Sequence, residues 1–180
     1  MNVICWVDAN FCGLYGTEDV HDSTSVKSHT GYIITVANCP AIWVSKLQTE
    51  SALSTVDSEF TALSQSVHSL IPLRCIMEEI STSSFCLTSS DPISSTAKST
   101  VFEDNTGALT LAKTKKMTAH TWHIAVKYFW FLNKIHLHVG RFTLRKSTAR
   151  STLLTILPRT CRNKHFNLCA KSSVVGRDLG

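Results

Sequence analysis

The stretch STVDSEFTALSQSVHSLI, Ser54–Ile71, decides the fold because its apolar residues recur at steps of three and four. This spacing predicts one apolar stripe along a helix. Ser54, followed three residues later by Asp57, predicts the N-cap and its return partner. Pro72 predicts an end or a kink, although the following LRCIMEEI is able to continue the helix. The stripe consists of Leu53, Val56, Phe60, Leu63, Val67 and Leu70.

Glu59 flanks this stripe, one helical turn from both Val56 and Leu63. A glutamate at a helix edge usually reaches solvent, since glutamate is rarely buried. A carboxylate that stays against the stripe costs free energy unless a positive group meets it. Two further acids favour the second possibility, because Asp8 ends the apolar segment VICWVD and Asp104 ends TVFED.

The bulk composition describes a globular chain. Its 180 residues fit one domain, and they are 43% hydrophobic and 17% charged. No apolar run approaches the roughly 18 residues of a membrane span, and the N-terminus lacks the regions of a signal peptide. Seven cysteines without a C-x-x-C pair predict reduced thiols in a reducing compartment. Eight histidines without a matching cysteine pair make a structural zinc site a weak alternative.

The charge is distributed very unevenly along the chain. Residues 1–104 carry 4 Lys/Arg and 12 Asp/Glu, whereas residues 105–180 carry 14 Lys/Arg and a single acid, Asp178. An acidic metal site followed by a polyanion-binding surface is one interpretation of this division. A solvated basic tail is the other, and the sequence leaves both open for residues 141–180.

The order of the predicted elements is that of an α/β fold with a mixed sheet. The first strand is expected to lie centrally beside the fourth, so that each delivers a carboxylate at its C-terminal end. Residues 81–100, rich in Ser and Thr, predict a surface connection, and Asn38–Pro40 predicts the turn of a hairpin. The predicted strands are Asn2–Asp8, Gly31–Val36, Ala41–Ser45, Thr100–Glu103 and Leu137–Leu144, and the further helices are Asn105–Lys113, with Leu109 and Ala112 inward, and Thr121–Asn133.

Three converging carboxylates would suit hard divalent cations. Two unpaired carboxylates 4 Å apart repel by about 4 kcal/mol at an effective dielectric near 20, and oxygen-liganded cations remove that cost. Two such ions support phosphodiester cleavage. The spacing alone leaves open whether Asp8, Glu59 and Asp104 converge.

Several blocks resemble, in the same order, the ribonuclease H domain of copia-type LTR retrotransposon polyproteins. The block TGYIITV…WVSKLQ…ALSTVDSEFTALS resembles the family's SGY…W.SKKQ…ALSSTEAEYIAL. FEDNTGALTLA resembles CDNQSAIALA, and HTWHIAVKYFWFL resembles R-T-K-H-I-x-x-K-Y-H-F-x-R. The resemblance covers about residues 3–145.

This resemblance implies an RNase H-like fold, with a mixed five-stranded sheet flanked by helices. It also implies two-metal hydrolysis of the RNA strand of an RNA–DNA hybrid during reverse transcription, with Mg²⁺ or Mn²⁺. Asp8, Glu59 and Asp104 match the family's catalytic, metal-binding acids. The expected partners are the hybrid and the reverse transcriptase and integrase parts of the same polyprotein, in the cytoplasm or a virus-like particle. Candidate hybrid contacts are Lys27, Lys46, Asn105 and Lys127.

The departures from the family pattern predict a degenerate copy with impaired activity. Asn10 replaces the second acid of the family's VDAD, and His120–His123 loses two cations of R-T-K-H. The family's closing segment carries the fourth metal-binding acid, but Ser151 or Thr152 stands near its place here. We expect residues 1–145 to form the RNase H-like domain and residues 146–180 its degenerate C-terminal helix or tail.

The sequence is also compatible with two other functions. A non-catalytic nucleic-acid-binding remnant would keep the same fold and bind hybrid without a metal. The second alternative is an integrase core of the same superfamily, although no segment of this sequence resembles the zinc-binding segment of integrases. Magnesium or manganese binding at the acids separates the enzyme from the remnant.

Overall fold

The computed structural model describes residues 2–16, 24–82, 98–114, 130, 133 and 142–147. Five strands and two helices have their bounds within these residues. No helix in this described part has the length and hydropathy needed to cross a membrane. The elements in chain order are β1 (Asn2–Asn10), β2 (His29–Val36), β3 (Cys39–Leu47), α1 (Thr55–Thr82), β4 (Lys98–Glu103), α2 (Thr106–Lys113) and β5 (Phe142–Lys146).

The strands form one mixed sheet in the order β3-β2-β1-β4-β5. Strands β1, β2 and β3 pair antiparallel, whereas β4 pairs parallel with both β1 and β5. The central position of β1 beside the fourth strand, expected from the sequence, is confirmed. Because β1 and β4 run in the same direction, their C-terminal ends lie at the same edge of the sheet.

Helix α1 covers one face of the sheet with the predicted apolar stripe. Four residues of the stripe are buried against the strands, and Val56 is half-buried. The Tyr32 hydroxyl and the Ser69 hydroxyl, 2.7 Å apart, join β2 to the middle of the helix. Leu53 is the exception: it precedes the helix and is 77% exposed, so its assignment to the stripe was wrong. The four buried residues are Phe60, Leu63, Val67 and Leu70.

The predicted cap of α1 is present. The Ser54 hydroxyl accepts a hydrogen bond from the Asp57 N–H at 3.1 Å, and the Asp57 carboxylate accepts one from the Leu53 N–H at 3.0 Å. The helix continues through Pro72 to Thr82. Pro72 has no N–H to give to the carbonyl of His68, but both residues are exposed, so water can reach that carbonyl.

The β2–β3 hairpin is confirmed, but its turn lies earlier than predicted. Ala37 and Asn38 form the turn with φ of 50° and 65°, and Cys39 and Pro40 already belong to β3. Two positive φ values are typical of the two-residue turn whose twist matches paired strands. Pro40 is tolerated because β3 is an edge strand with a register shift beside it.

The remaining predicted elements are observed in part. Helix α2 buries Leu109 and Ala112 as expected, and the side-chain oxygen of Asn105 caps it by accepting a hydrogen bond from the Ala108 N–H at 3.1 Å. In the predicted strand Leu137–Leu144, the described portion begins at Phe142 and runs on to Lys146. Trp130 and Asn133 are helical, and the rest of the predicted helix Thr121–Asn133 lies outside the described residues.

Candidate metal centre

Two of the three predicted acids come from the ends of the parallel strands. Trp6 and Phe102 are partners in the β1–β4 pairing, and their rings stack with centroids 5.7 Å apart. Asp8 and Asp104 each follow two residues later. Because Trp6 and Phe102 are paired and each aspartate lies two residues further along its segment, Asp8 and Asp104 lie side by side at the sheet edge. Both are half-buried.

The third acid comes from the first turns of α1. The Ser54–Asp57 cap fixes where the helix begins, and residues 58–64 are all buried. Glu59 is only 8% exposed, so it does not reach open solvent as most helix-edge glutamates do. The interpretation that placed Glu59 against the buried stripe is confirmed.

Asp8, Glu59 and Asp104 converge on one point. One carboxylate oxygen from each residue lies within 4.8 Å of the other two. The geometric convergence that the sequence left open is therefore observed. At such separations, ionised carboxylates repel one another by several kcal/mol at an effective dielectric near 20. The cluster is therefore compatible with a proton or a cation between its members.

Burial and mutual repulsion govern how these acids ionise. Burial, reinforced by the charges of Glu103, Asp8 and Asp104, raises the pKa of Glu59 to about 10, against the opposing effect of a backbone hydrogen bond from Ala9. Burial likewise raises the pKa of Glu103 to about 8, although the Asn105 N–H opposes this by hydrogen bonding to the carboxylate. None of the groups that shift either pKa is a cation.

The sequence analysis missed Glu103, which is completely buried beside this cluster. Side chains of a strand alternate between the two faces of a sheet, and Ser99, Val101 and Glu103 are the buried set of β4. Val101 belongs to the core under α1. The alternation was readable in KSTVFE, and it would have placed Glu103 on the side of the sheet that faces Glu59.

The donor set fits a hard divalent cation. Carboxylate oxygens are the ligands that Mg²⁺ and Mn²⁺ prefer, and three of them meet here. The Oε2 atoms of Glu59 and Glu103 are buried, and neither has a hydrogen-bond partner among the described residues. Oxygens left in this condition are the ones that a bound cation would satisfy.

A buried amide ties the strand side of the cluster to the helix side. The Gln48 side chain, 2% exposed, donates to the Thr30 hydroxyl at 3.0 Å and to the Ser58 carbonyl at 2.9 Å. Thr30 is the partner of Ala9 in the β1–β2 pairing, next to Asp8, and Ser58 precedes Glu59. Gln48 therefore ties α1, which carries Glu59, to β2, the strand that pairs with the end of β1 where Asp8 lies.

Replacing Gln48 with methionine is expected to weaken Mn²⁺ binding by about tenfold, as losses of supporting hydrogen bonds do at metal sites. It should also lower the free energy of unfolding by about 1–3 kcal/mol, because two buried acceptors lose their donor. Metal titration and urea unfolding measure the two effects. Thr35→Val is the matched control, since it removes a partly buried hydrogen bond to the Ile4 carbonyl at the other end of β2. Equal Mn²⁺ affinities in the two variants would contradict a positioning role.

The candidate hybrid contacts occupy different surroundings. Lys46 is exposed on β3 and lies in the same row of the sheet as Thr30 and Ala9. Lys27 is half-buried, and its backbone N–H bonds to the Thr24 carbonyl. The side-chain oxygen of Asn105 is engaged in capping α2. Lys127, like Ser151 and Thr152, lies outside the described residues.

Comparison with known proteins agrees with the family resemblance. No profile of a known protein family matches the chain. The chain is 29% identical over 151 residues to the retrovirus-related Pol polyprotein from transposon TNT 1-94 of Nicotiana tabacum. The match covers 82% of the chain but only 10% of that polyprotein's length. The resemblance to retrotransposon Pol polyproteins is therefore confirmed.

Solved structures show the same fold at low sequence identity. An RNase H1 isolated from compost by a metagenomic approach is similar with a TM-score of 0.51 and 11% identity, over 93% of this chain and 91% of that one. The N-terminal RNase H domain of a Mycobacterium tuberculosis protein has a TM-score of 0.52 at 9% identity, over 84% of this chain and 89% of that one. The expected RNase H-like fold is therefore confirmed.

Proposed function

We propose that this chain is a ribonuclease H-type, metal-dependent endonuclease domain of a copia-type retrotransposon polyprotein. The observation that carries the proposal is the convergence of Asp8, Glu59 and Asp104 within 4.8 Å at one edge of an RNase H-like sheet. The likeness to a Pol polyprotein supports the context. The reaction is hydrolysis of the RNA strand of an RNA–DNA hybrid.

The three acids are the residues that would hold Mg²⁺ or Mn²⁺, with two ions as the expected number. Ions bound there would supply an activated water and would stabilise the charge on the leaving oxygen. Asp8 and Asp104 provide carboxylates from adjacent strand ends, and Glu59 closes the site from the helix. The buried surroundings of Glu59 strengthen its electrostatic interaction with a cation, since the local dielectric is low.

Surface charge and the kind of protein that the chain resembles support an RNA–DNA hybrid as the proposed substrate. The exposed Lys46 lies two strands away from Ala9 in the same row of the sheet, and Ala9 follows Asp8 in the chain, so Lys46 is a candidate contact for a phosphate of the hybrid. Lys27, Asn105 and Lys127 complete the proposed hybrid contacts, and recognition would rest on A-form geometry and 2′-hydroxyls. Reverse transcriptase and integrase parts are the proposed partners, in a cytoplasmic virus-like particle.

We further propose that the activity is weak. The sequence contains no acid between Asp104 and Asp178, and Ser151 or Thr152 stands where the family resemblance calls for a fourth acid. Neutral hydroxyls compensate a cation's charge less than a carboxylate does. The alternative is a non-catalytic nucleic-acid-binding remnant, which the lack of the fourth acid also favours.

The decisive experiment is cleavage of an RNA–DNA hybrid labelled on the RNA strand, with Mn²⁺, with Mg²⁺ and with EDTA. We expect slow cleavage of the RNA strand with Mn²⁺, none with EDTA, and none of a DNA duplex. Metal-independent binding of the hybrid without cleavage would favour the remnant.

A second arm of the assay tests the weakness of the activity. Residues 147–159 are replaced by a family-like segment that carries the aspartate, and the rate is expected to rise. A native rate equal to that of the repaired chain would show that the absent acid does not limit catalysis.

A further inference from the structure

Glu103 is a buried carboxyl group that the proposed mechanism leaves without a role. It is 0% exposed, it ends β4, and it faces the helix side of the sheet with Ser99 and Val101. An isolated carboxylate in such surroundings costs several kcal/mol. A simple core position would carry an apolar side chain, so this position calls for a partner.

The immediate neighbour of Glu103 is Glu59. Each of the two carboxyl groups acts on the pKa of the other, because they lie close together at the end of β4. The Oε1 atom of Glu103 accepts from the Asn105 N–H at 3.2 Å. Its Oε2 atom and the Oε2 atom of Glu59 are both buried, and neither has a hydrogen-bond partner in the part of the chain that the structure describes.

Two carboxyl groups in contact need a positive group between them. A bound divalent cation would compensate the charge of both carboxylates, whereas a shared proton would neutralise only one of the two groups. Glu103 does not belong to the group of three acids whose ligand atoms all lie within 4.8 Å of one another. A cation held by Glu59 and Glu103 would therefore adjoin the three-acid cluster, with Glu59 common to both positions.

We propose that Glu103 is a fourth carboxylate ligand of the metal centre and that it holds, together with Glu59, a second divalent cation beside the Asp8–Glu59–Asp104 cluster. The inference rests on the proposed metal-dependent function and adds to it the source of the second cation's ligands. It places this additional carboxylate on β4, the strand that also leads to Asp104.

The test is Mn²⁺ binding to the full chain, followed by electron paramagnetic resonance of free Mn²⁺, without any substrate. The wild type is expected to bind two ions. Glu103→Gln, which keeps the size of the side chain, is expected to bind one tightly and to lose the second or bind it at least about tenfold more weakly. Glu79→Gln is the matched control, because it removes the same charge from an exposed site on α1 that is about 30 Å from Glu59 along the helix axis.

The outcomes separate this inference from the proposed function. Two ions of unchanged affinity in Glu103→Gln would overturn the inference and would indicate a shared proton. One ion in the wild type, abolished by Asp8→Asn, would also overturn it while leaving the three-acid site intact. No bound ion in the wild type would overturn both. If Glu103→Gln fails to fold by circular dichroism, Glu103→Asp replaces it; it is expected to weaken binding of the second ion only, because its carboxylate is one methylene shorter, and unchanged affinity for both ions would overturn the inference.

Discussion

Replacing Asp8 with asparagine is expected to lower Mn²⁺-dependent cleavage of an RNA–DNA hybrid by about a hundredfold or more, the loss typical of removing one preorganised electrostatic group. Asp8 supplies one of the three carboxylates that meet within 4.8 Å. Asparagine keeps the shape of the side chain but removes its charge, so the cation loses a ligand of opposite sign. Initial rates at saturating hybrid, with Mn²⁺ varied, measure the effect.

The same substitution at Asp57 provides the control. Asp57 lies in the first turn of α1, where its carboxylate accepts a hydrogen bond from the Leu53 N–H, and it does not belong to the cluster. Asp57→Asn is expected to cost about 0.3–1 kcal/mol of stability through the helix dipole and to leave the cleavage rate unchanged. Equal rates in Asp8→Asn and the wild type would show that any cleavage comes from another site or from a contaminating nuclease.

The helix and the three acids could be predicted because their signals are local. The period of the α1 stripe and the placement of Asp8 and Asp104 at the ends of apolar segments are visible in short windows of sequence. Their convergence depends on β1 and β4 being parallel neighbours. These two strands are far apart in the sequence, and local periodicity does not establish which strands pair with each other.

The structure differs from the prediction where tertiary contacts outweigh local sequence preferences. Leu53 matches the spacing of the stripe but precedes the helix, because the cap at Ser54 turns the chain away there. Pro72 is tolerated inside α1 because it lies on the exposed side. The hairpin turn falls at Ala37–Asn38 although Pro40 is the stronger turn former, since the edge position of β3 accommodates proline.

Glu103 shows the limit of reasoning from residue type. The strand alternation indicates that Glu103 is buried, but glutamate is so rarely buried that residue type alone favours the neighbouring Asp104 as the site residue. Only the folded structure brings Glu103 on β4 close to Glu59 on α1, where each carboxyl group acts on the pKa of the other. Functional sites are where a sequence breaks the rule that charged residues stay outside, and a buried acid is therefore an informative exception.

Without metal, the free energy of unfolding is expected to fall as the pH rises from 5 to 8, by up to about 1.4 kcal/mol per pH unit for each glutamate whose pKa is raised in the folded state. The folded-state pKa values of Glu59 and Glu103 are raised from 4.5 to about 10 and about 8. Across this window the native state therefore binds more protons than the unfolded state. The stability that the protonated forms contribute is complete below the unfolded value and is lost as the pH rises toward the folded ones. Urea unfolding in EDTA at several pH values measures this slope.

Divalent cations should reverse this loss at pH 8, because they bind the ionised carboxylates of the native state and not the unfolded chain. Saturation at a hundred times the dissociation constant adds about 2.7 kcal/mol. Glu103→Gln removes one of the two buried charges, so it is expected to flatten the pH slope in EDTA and to raise stability at pH 8. Exposed Glu79→Gln should leave the slope unchanged. If the free energy of unfolding of the wild type in EDTA instead increases from pH 5 to pH 8, the carboxylates at the sheet edge are neither crowded nor desolvated. That result would contradict the electrostatic argument for the metal centre.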